Sequence, residues 1–494
     1  MISVCLHSLF AISRRAGTII FAVAIILSLP LVTVAQTAVS SAWTDETSRS
    51  SASSPTSSDE QQSAHVDHDA SSDAEQRLGH GKIEGTLGAL RLRFYGRVLL
   101  NVSVSDSAEV GQDVPLWPLP GTVPVTFPDG SRLPAGRIHD TIFTARQSVF
   151  GFNFSPAHSN IWTPSGVVEF DFFGTRPSDS LQPQGRVFNE PRLRKVYLQL
   201  EKGGYKLVAG QDDMIIAPLD PISLSHVGAP LGATAGNLWA RLPQVRLDLT
   251  HHFGETTVLL QVGVLRPLFA DPRLGDLPPV GAAIDSTFSG FGERASAPFY
   301  QTRLALSHPM SGSTATVGVG GHFGSEAVGA NRNIHSWALA VDAELPLLSR
   351  LTFRGEGFLG SSLVPFQGGI LQGVVAIPNP PPAPQNVFKE IHPLAGAGGW
   401  WELTLRATAD NKNNLHVGGS VDNPRNRQLR PGTTRSKNGI AWASYFRKLT
   451  SDVTVAFEWS YWQFRTVQFA ANGARSKAPS GRGNVFNIAF AYDF

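Results

Sequence analysis

The sequence predicts an all-β chain: a transmembrane, antiparallel, up-and-down β-barrel of about 16 strands with a disordered N-terminal segment. Three observations predict it. The first is the last stretch, Asn484 to Phe494, where Phe486, Ile488, Phe490, Tyr492 and Phe494 share one face of an extended strand and Val485, Asn487, Ala489, Ala491 and Asp493 share the other. Successive side chains of a strand point to opposite sides, so a strict period of two is strand geometry. The second is that about sixteen segments alternate in this way from Lys82 onward. The third is the pattern of connections, short and long in turn, which an up-and-down barrel produces and a β-sandwich does not. On such strands the large apolar face meets lipid and the small or polar face meets a wet interior.

The region before the strands reads as two processing and tethering segments. Arg14 and Arg15 precede an apolar run from Gly17 to Val34, with Thr33 and Ala35 at the cleavage-recognition positions. Residues 1–35 are therefore expected to be a secretory signal peptide rather than a membrane anchor. The missing apolar pattern after Arg14-Arg15 argues against a twin-arginine signal. Residues 36–84 form an acidic, Ser/Ala-rich periplasmic extension or linker, too poor in large apolar side chains to bury a core. Its 36–81 part holds eight acids against two bases, whereas residues 82–494 carry 37 Lys and Arg against 31 Asp and Glu. The near-neutral total thus hides an acidic tail and a mildly basic body. His65-Val-Asp67-His68-Asp69 reads as a solvated polar stretch rather than a metal site. The only cysteine, Cys5, lies in the signal, so the mature chain has no disulfide and no thiolate metal site. No uncharged apolar run of about 18 residues follows residue 35, which excludes a helical span. Mean hydropathy near zero with abundant Gly and Pro fits a barrel.

The barrel is expected over 85–494. Its strands are placed at 91–104, 143–154, 165–174, 191–201, 205–211, 243–251, 255–264, 298–308, 313–323, 334–345, 350–360, 398–409, 413–422, 437–448, 451–463 and 484–494. Tight polar turns fall at Lys202 to Gly204, His252 to Gly254, Pro309 to Gly312, Pro346 to Ser349, Asp410 to Asn413 and Leu449-Thr450. Long connections fall at 105–142, 212–242, 265–297, 361–397 and 464–483; 155–164 is long for a turn. An even strand count puts both barrel ends on the short-turn, periplasmic side. Barrels of about 16–18 strands leave an aqueous channel.

Strand parity assigns the lining. Leu92, Phe94, Val98, Leu100, Val102 and Val104 point out, so Arg91, Arg93, Tyr95, Arg97 and Asn101 point in. By the same logic Arg246 and Asp248, Arg303, Asp342 and Glu344, Arg354 and Glu356, Glu402 and Arg406, and Glu169 and Asp171 face the lumen. A charge on the lipid face costs roughly 2–4 kcal/mol for Arg or Lys at the midplane. The basic pore-lining set is Arg91, Arg93, Arg97, Arg246, Arg303, Arg354 and Arg406. It would attract anions, set against the plainer reading that both signs merely solvate the interior. Arg192-Leu-Arg194-Lys195 carries bases on both faces, and Arg146 shares parity with Phe150 and Phe152, so these stay unassigned. Loop 212–242 is too apolar to lie in solvent, and is expected to fold into the barrel. Asp212, Asp213 and Asp220 would then face the basic wall across a constriction. Trp337, Trp400, Trp401, Trp442, Trp459, Tyr461 and Trp462 are expected in interfacial girdles.

A terminal Phe with Tyr two places before it resembles the C-terminal signal of bacterial outer-membrane barrels. Thr144 to Phe152, Val167 to Gly174, Pro191 to Leu200, Leu207 to Asp213 and the Leu219-Asp-Pro-Ile-Ser223 motif together resemble trimeric outer-membrane porins, more narrowly the DcaP-like family. These motifs cover about 80 residues; the C-terminal half matches in strand pattern only. The resemblance implies sixteen strands, a homotrimer, an inward-folded third extracellular loop and passive uptake of small anions such as dicarboxylates. It also implies a Gram-negative outer membrane, with lipid and lipopolysaccharide around the barrel. No catalytic residue, cofactor, resident metal or nucleic-acid partner is expected. The competing classes are a phosphate- or oligosaccharide-selective porin and, outside transport, a barrel enzyme or adhesin. An enzyme would need a nucleophile beside a base. Ser307-His308 and His251-His252 are the only hints, and sequence neighbours on a strand point to opposite faces.

Overall fold

The computed structural model describes residues 83–111, 113–158, 161–174, 190–268, 291–329, 331–379, 388–470 and 473–494. The expected signal peptide and nearly all of the 36–84 extension lie outside them. In the described region one antiparallel sheet closes on itself as a sixteen-stranded barrel. Its strands are β1 (Leu90–Ser105), β2 in two pieces (Asp140–Thr144 and Val149–Pro156), β3 (Thr163–Gly174), β4 (Glu190–Lys202), β5 (Tyr205–Asp213), β6 (Arg241–Phe253), β7 (Thr256–Leu265) and β8 (Phe299–Met310). They continue as β9 (Ser313–Gly329), β10 (Arg332–Leu348), β11 (Leu351–Ser361), β12 (Ala395–Arg406), β13 (Asn413–Pro424), β14 (Arg435–Lys448), β15 (Val453–Phe469) and β16 (Gly481–Asp493). No helix among the described residues is long and apolar enough to cross a membrane.

Each strand pairs with its sequence neighbour, and β16 returns to β1 in the register Arg97↔Asp493 to Ser105↔Val485. Alternation fixes that register, since a slip of one residue would turn Phe486, Ile488, Phe490 and Tyr492 into the lumen. Phe494 extends the seam: its N–H and carbonyl both pair with Gly96 at 3.1 Å. Only glycine fits there, because a Cβ on Gly96 would lie 2.7 Å from the Phe494 ring. Below the seam, Ile83–Leu87 adds a short strand to β1, pairing Ile83 with Phe94.

Two irregularities explain residues that parity alone left unassigned. A β-bulge in β4 shifts register between Leu193 and Lys195. The extra residue turns Arg194 and Lys195 both into the buried interior, while Leu193, Val196 and Leu198 face out. β2 breaks at 145–148, and there Arg146 pairs with Asp113 at 2.9 Å and stacks over Phe173. The long first connection also holds small ladders, Glu109–Val110 with Trp117–Pro118 and Pro124–Thr126 with Arg132–Pro134. β9 and β10 run on to pair Gly329 with Arg332.

The tryptophans divide by parity. Trp337, Trp401 and Trp459 are exposed on the outer face, but Trp400, Trp442 and Trp462 are buried inside the barrel. These three correct the girdle expectation: they pack against an inward loop, forming one apolar cluster with Leu219, Leu231 and Ala235.

Candidate permeation pathway

The connection between β5 and β6 dominates the interior. It is closed at its base by Met214 N–H to the Ala240 carbonyl, at 3.0 Å, so the loop proper is 214–240. Asp212 and Asp213 therefore belong to the end of β5 and not to the loop. Met214, Ile215, Ile216, Leu219, Ile222, Leu224 and Leu231 are all buried. Ile215 and Ile216 pack with Leu238, Phe299, Phe358 and Phe366, and Leu224 packs with Leu99, Ala456 and Ala489.

An irregular segment inside a barrel must still satisfy its main-chain polar groups. Here wall side chains do so in strand order. Ile215 N–H donates to Gln301 on β8 at 2.8 Å. Ile216 lies against β9, where a Cβ on Gly320 would come within 3.0 Å of its Cα. Leu219 N–H donates to Glu356 on β11 at 2.7 Å, and Ile222 N–H to Glu402 on β12 at 3.2 Å. Leu224 and Ser225 N–H both donate to one Glu458 oxygen on β15, at 2.9 and 2.6 Å. Asn101 on β1 donates to the Leu224 carbonyl at 2.8 Å. Val227 and Gly228 N–H donate to Gln147, in the break of β2, at 2.7 and 2.8 Å. Arg194 on β4 donates to the Val227 carbonyl at 3.0 Å. The outgoing limb thus follows the inner wall from β8 through β12 and β15 past the seam to β4. The return limb also touches the wall: Gly236, at φ +113°, passes so close to β12 and β13 that a Cβ would lie 2.4 Å from the Val421 carbonyl. Trp239 N–H reaches the Phe366 carbonyl of the β11–β12 connection at 3.0 Å.

The inner wall also carries paired charges. Arg194 binds Glu169 at 2.7 Å and Asp171 at 3.1 Å. Lys195 binds Asp213 at 2.7 Å, and Arg241 binds the same carboxylate at 3.0 Å. Arg246 meets Asp212 and Asp248, both at 3.0 Å. Arg303 meets Asp342 at 2.8 Å, and Arg354 meets Glu344 at 3.1 Å. Arg97 holds Asp493 through two bonds of 2.6 and 3.0 Å. Among the sequence-derived basic set, Arg97, Arg246, Arg303 and Arg354 are thus buried on the inner wall beside carboxylates. Arg91 is exposed and Arg93 half-buried, 3.9 Å from Glu84, on the part of β1 that pairs with Ile83–Leu87. Arg406 donates to the Ser349 carbonyl at the β10–β11 turn. Asp212 faces Arg246 and Lys195, whereas Asp220 accepts from Asn237 within the loop at 2.8 Å.

Sequence reasoning placed Glu356 and Glu402 on the inner face, but it missed Glu458, Gln147 and Gln301, and it gave none of the five a role as a loop anchor. Their parity was readable; their acceptance of loop N–H groups was not.

A cavity of about 10 Å³, room for one water, separates loop and wall beside Asp113, His226, Glu458 and Asn487. Burial holds the His226 imidazole well below its usual range, at about 4. On the first connection, burial pushes the Glu109 carboxyl up to about 8, with Asp106 and Asp140 adding to the rise.

Among the described residues, the serine and histidine hints of the sequence do not meet. Ser307 bonds Thr316 at 2.9 Å, while His308 bonds Thr256 at 3.0 Å on the other strand face. Thr404 and Glu402 both approach His416 through Nδ1, at 3.0 and 3.5 Å, so that ring cannot relay a proton between them. Among the described residues no group of His, Cys, Asp and Glu could hold a metal ion.

The architecture is a sixteen-stranded barrel with an outward apolar face, a charged inner wall and one loop folded inside, the fold of outer-membrane porins. No protein-family profile matches the sequence, and no curated protein matches it. The chain is similar to the outer membrane channel DcaP of Acinetobacter baumannii, with a TM-score of 0.56 at 12% identity, over 83% of this chain and 100% of that one. It is also similar to an anion-selective porin from Comamonas acidovorans, with a TM-score of 0.47 at 10% identity, over 82% of this chain and 100% of that one. OmpT of Vibrio cholerae gives 0.45 at 12% identity, over 83% of this chain and 99% of that one.

Proposed function

We propose that this protein is a porin of the Gram-negative outer membrane, passing small hydrophilic solutes by passive diffusion and favouring anions such as dicarboxylates. The observation that carries the reading is the loop belt. A buried loop held to the wall by Gln301, Glu356, Glu402, Glu458 and Gln147 narrows a barrel whose strand number otherwise leaves a channel. No catalytic step enters: width and fixed charge select what passes.

The paired wall of Arg246, Arg303 and Arg354 would supply a field across the pore with little net charge. Anion preference then rests on the loop rim. Residues 423–438 and 463–484 hold nine Lys and Arg and no Asp or Glu, and such an excess raises the local concentration of anions at a mouth. In this reading Asp212, Asp213 and Asp220 lie near the constriction, and the loop rim is extracellular. A homotrimer is part of the proposal; the outward aromatic patch of Phe94, Phe150, Phe170 and Phe494 supplies a contact face.

Reconstitution in a planar bilayer under a salt gradient tests this. Stepwise conductance with an anion-selective reversal potential is expected. Cation selectivity would keep the channel and remove the anion preference. Folded protein without conductance would end the porin reading.

A further inference from the structure

β14, β15 and β16 leave the apolar outer band in step. On β15 the outward face reads Val453, Val455, Phe457, Trp459 and Tyr461, then Gln463 and Arg465. On β16 it reads Tyr492, Phe490, Ile488 and Phe486, then Asn484 and Arg482. On β14 it runs from Tyr445 through Ala443, Ala441 and Gly439 to Lys437. Each strand therefore carries a cation where its apolar face ends, on the loop rim. The register places them together: Lys437 stands directly opposite Arg465, and Gln463 directly opposite Arg482. Directly opposed Cβ atoms lie about 5 Å apart and diagonal ones about 7–8 Å.

Opposed like charges destabilise a sheet. Among the described residues no carboxylate forms an ion pair with these three; Arg465 donates to Gln463 at 3.2 Å. Elsewhere on the same rim Arg266, also on an outward position, has Glu293 at 2.8 Å. Arg465 and Arg482 are exposed. Just beneath them Trp459 donates to Asn484 at 3.1 Å, an aromatic layer of the kind found at headgroup depth.

We propose that Lys437, Arg465 and Arg482 form a binding site for the phosphate of an anionic lipid headgroup in the leaflet around the loop rim. The phosphate oxygens accept from the two guanidinium forks and the ammonium, cancelling the repulsion among them. The acyl chains lie down the apolar faces of β14 to β16. The occupant is a lipid and not a permeating solute, because the three side chains stand on the strand face opposite the lumen-facing Asn438, Phe464 and Gly483. The site rests on the membrane placement proposed above, and not on conductance.

Native mass spectrometry of the full protein in a neutral detergent, titrated with bis-phosphorylated lipid A and separately with a neutral-headgroup lipid, tests it. One tightly held lipid A per barrel is expected, with the neutral lipid binding weakly. The triple variant K437Q/R465Q/R482Q should lose affinity by about fivefold per charge removed. Its unfolding temperature without lipid should stay the same or rise. The variant R425Q/R427Q/R430Q removes the same charge from the neighbouring connection and should bind normally. Equal loss in both variants, or in neither, would overturn the site in favour of a diffuse field. Full displacement of lipid A by inorganic phosphate would overturn the lipid assignment. Loss of oligomer mass in the first triple variant, with lipid retained, would assign the patch to a second copy of the chain. A protein that fails to conduct but still binds lipid A through these residues would refute the porin and leave this site standing.

Discussion

Carboxylates on the inner wall act differently in the two halves of the barrel. On β3 to β10, Glu169, Asp171, Asp212, Asp248 and Asp342 each face an Arg or Lys side chain. On β11 to β15, Glu356, Glu402, Asp422 and Glu458 face main-chain N–H groups of loops, at Leu219, Ile222, Ile370 and Leu224-Ser225. The first half sets a field across the interior, and each acid there has a cation to replace the water it lost. The second half places the backbone of the constricting loop. An acid of the first kind can be exchanged together with its partner, whereas one of the second kind cannot be exchanged without moving a loop.

The largest effect should come from breaking a pair in the first half. Arg194→Met leaves the buried Glu169 without its cation, while Asp171 keeps Arg192, and removing one partner of a buried pair costs roughly 3–5 kcal/mol. Thermal unfolding in detergent should show it, and replacing the acid as well (Glu169→Leu) should recover much of the loss. Full stability of the single variant would remove the distinction between the halves. Next comes the second half. Glu458→Ala leaves the buried Leu224 N–H without an acceptor, at about 1–3 kcal/mol, and the Ser225 N–H with only Ser223 Oγ, and should raise single-channel conductance and noise as the loop lets go. Glu458→Gln keeps a carbonyl acceptor and should stay close to the parent. If Gln behaves like Ala, charge rather than acceptance holds the loop.

The pH responses are of opposite sign. His226 is neutral when folded, since burial holds its value near 4, below that of the unfolded chain. Stability should fall as pH drops from about 6.5 toward 4, because the unfolded state takes the proton first. Glu109 is raised to about 8, so its protonated form suits the fold. Stability should fall as pH rises from about 4.5 to 8, because ionisation places a charge in a buried site near Asp106 and Asp140. Unfolding temperature against pH checks both. His226→Gln should flatten the acid limb and Glu109→Gln the alkaline one. The smallest effect belongs to Arg91→Gln. That residue is exposed at the turn rim, so stability should move within about 0.5 kcal/mol, and conductance little.

Much of this fold could be read from the chain. All sixteen strands lie where alternation puts them, most ends within a few residues, with β9 and β15 running six residues further, because an apolar exterior and a polar interior make every second residue apolar. The N-terminal strand Ile83–Leu87 was not readable, since Ile-Glu-Gly-Thr-Leu is short and interrupted by glycine. The inside or outside placement of Trp400, Trp442 and Trp462 was also open to parity. Position near strand ends points them to girdles, whereas the inward loop gives them a dry interior to pack against. Arg194-Lys195 defeated alternation for a local reason: a bulge adds one residue and turns two neighbours to the same side. In the candidate site, the inward direction of Arg246, Arg303 and Arg354 follows from period two, but the acid that meets each one depends on strand register, and Arg303 reaches past β9 to Asp342 on β10.

By itself the sequence determined the barrel, its strand number, the outward apolar face and the apolar character of the loop after β5, because each of these is a local pattern of polarity and spacing. Tertiary structure alone decided which carboxylates hold that loop, which neutralise arginines, and that three cations distant in sequence meet where β14, β15 and β16 leave the apolar band. Those relations depend on the register between neighbouring strands and on where a loop lies against strands far from it in the chain, and no local pattern encodes either.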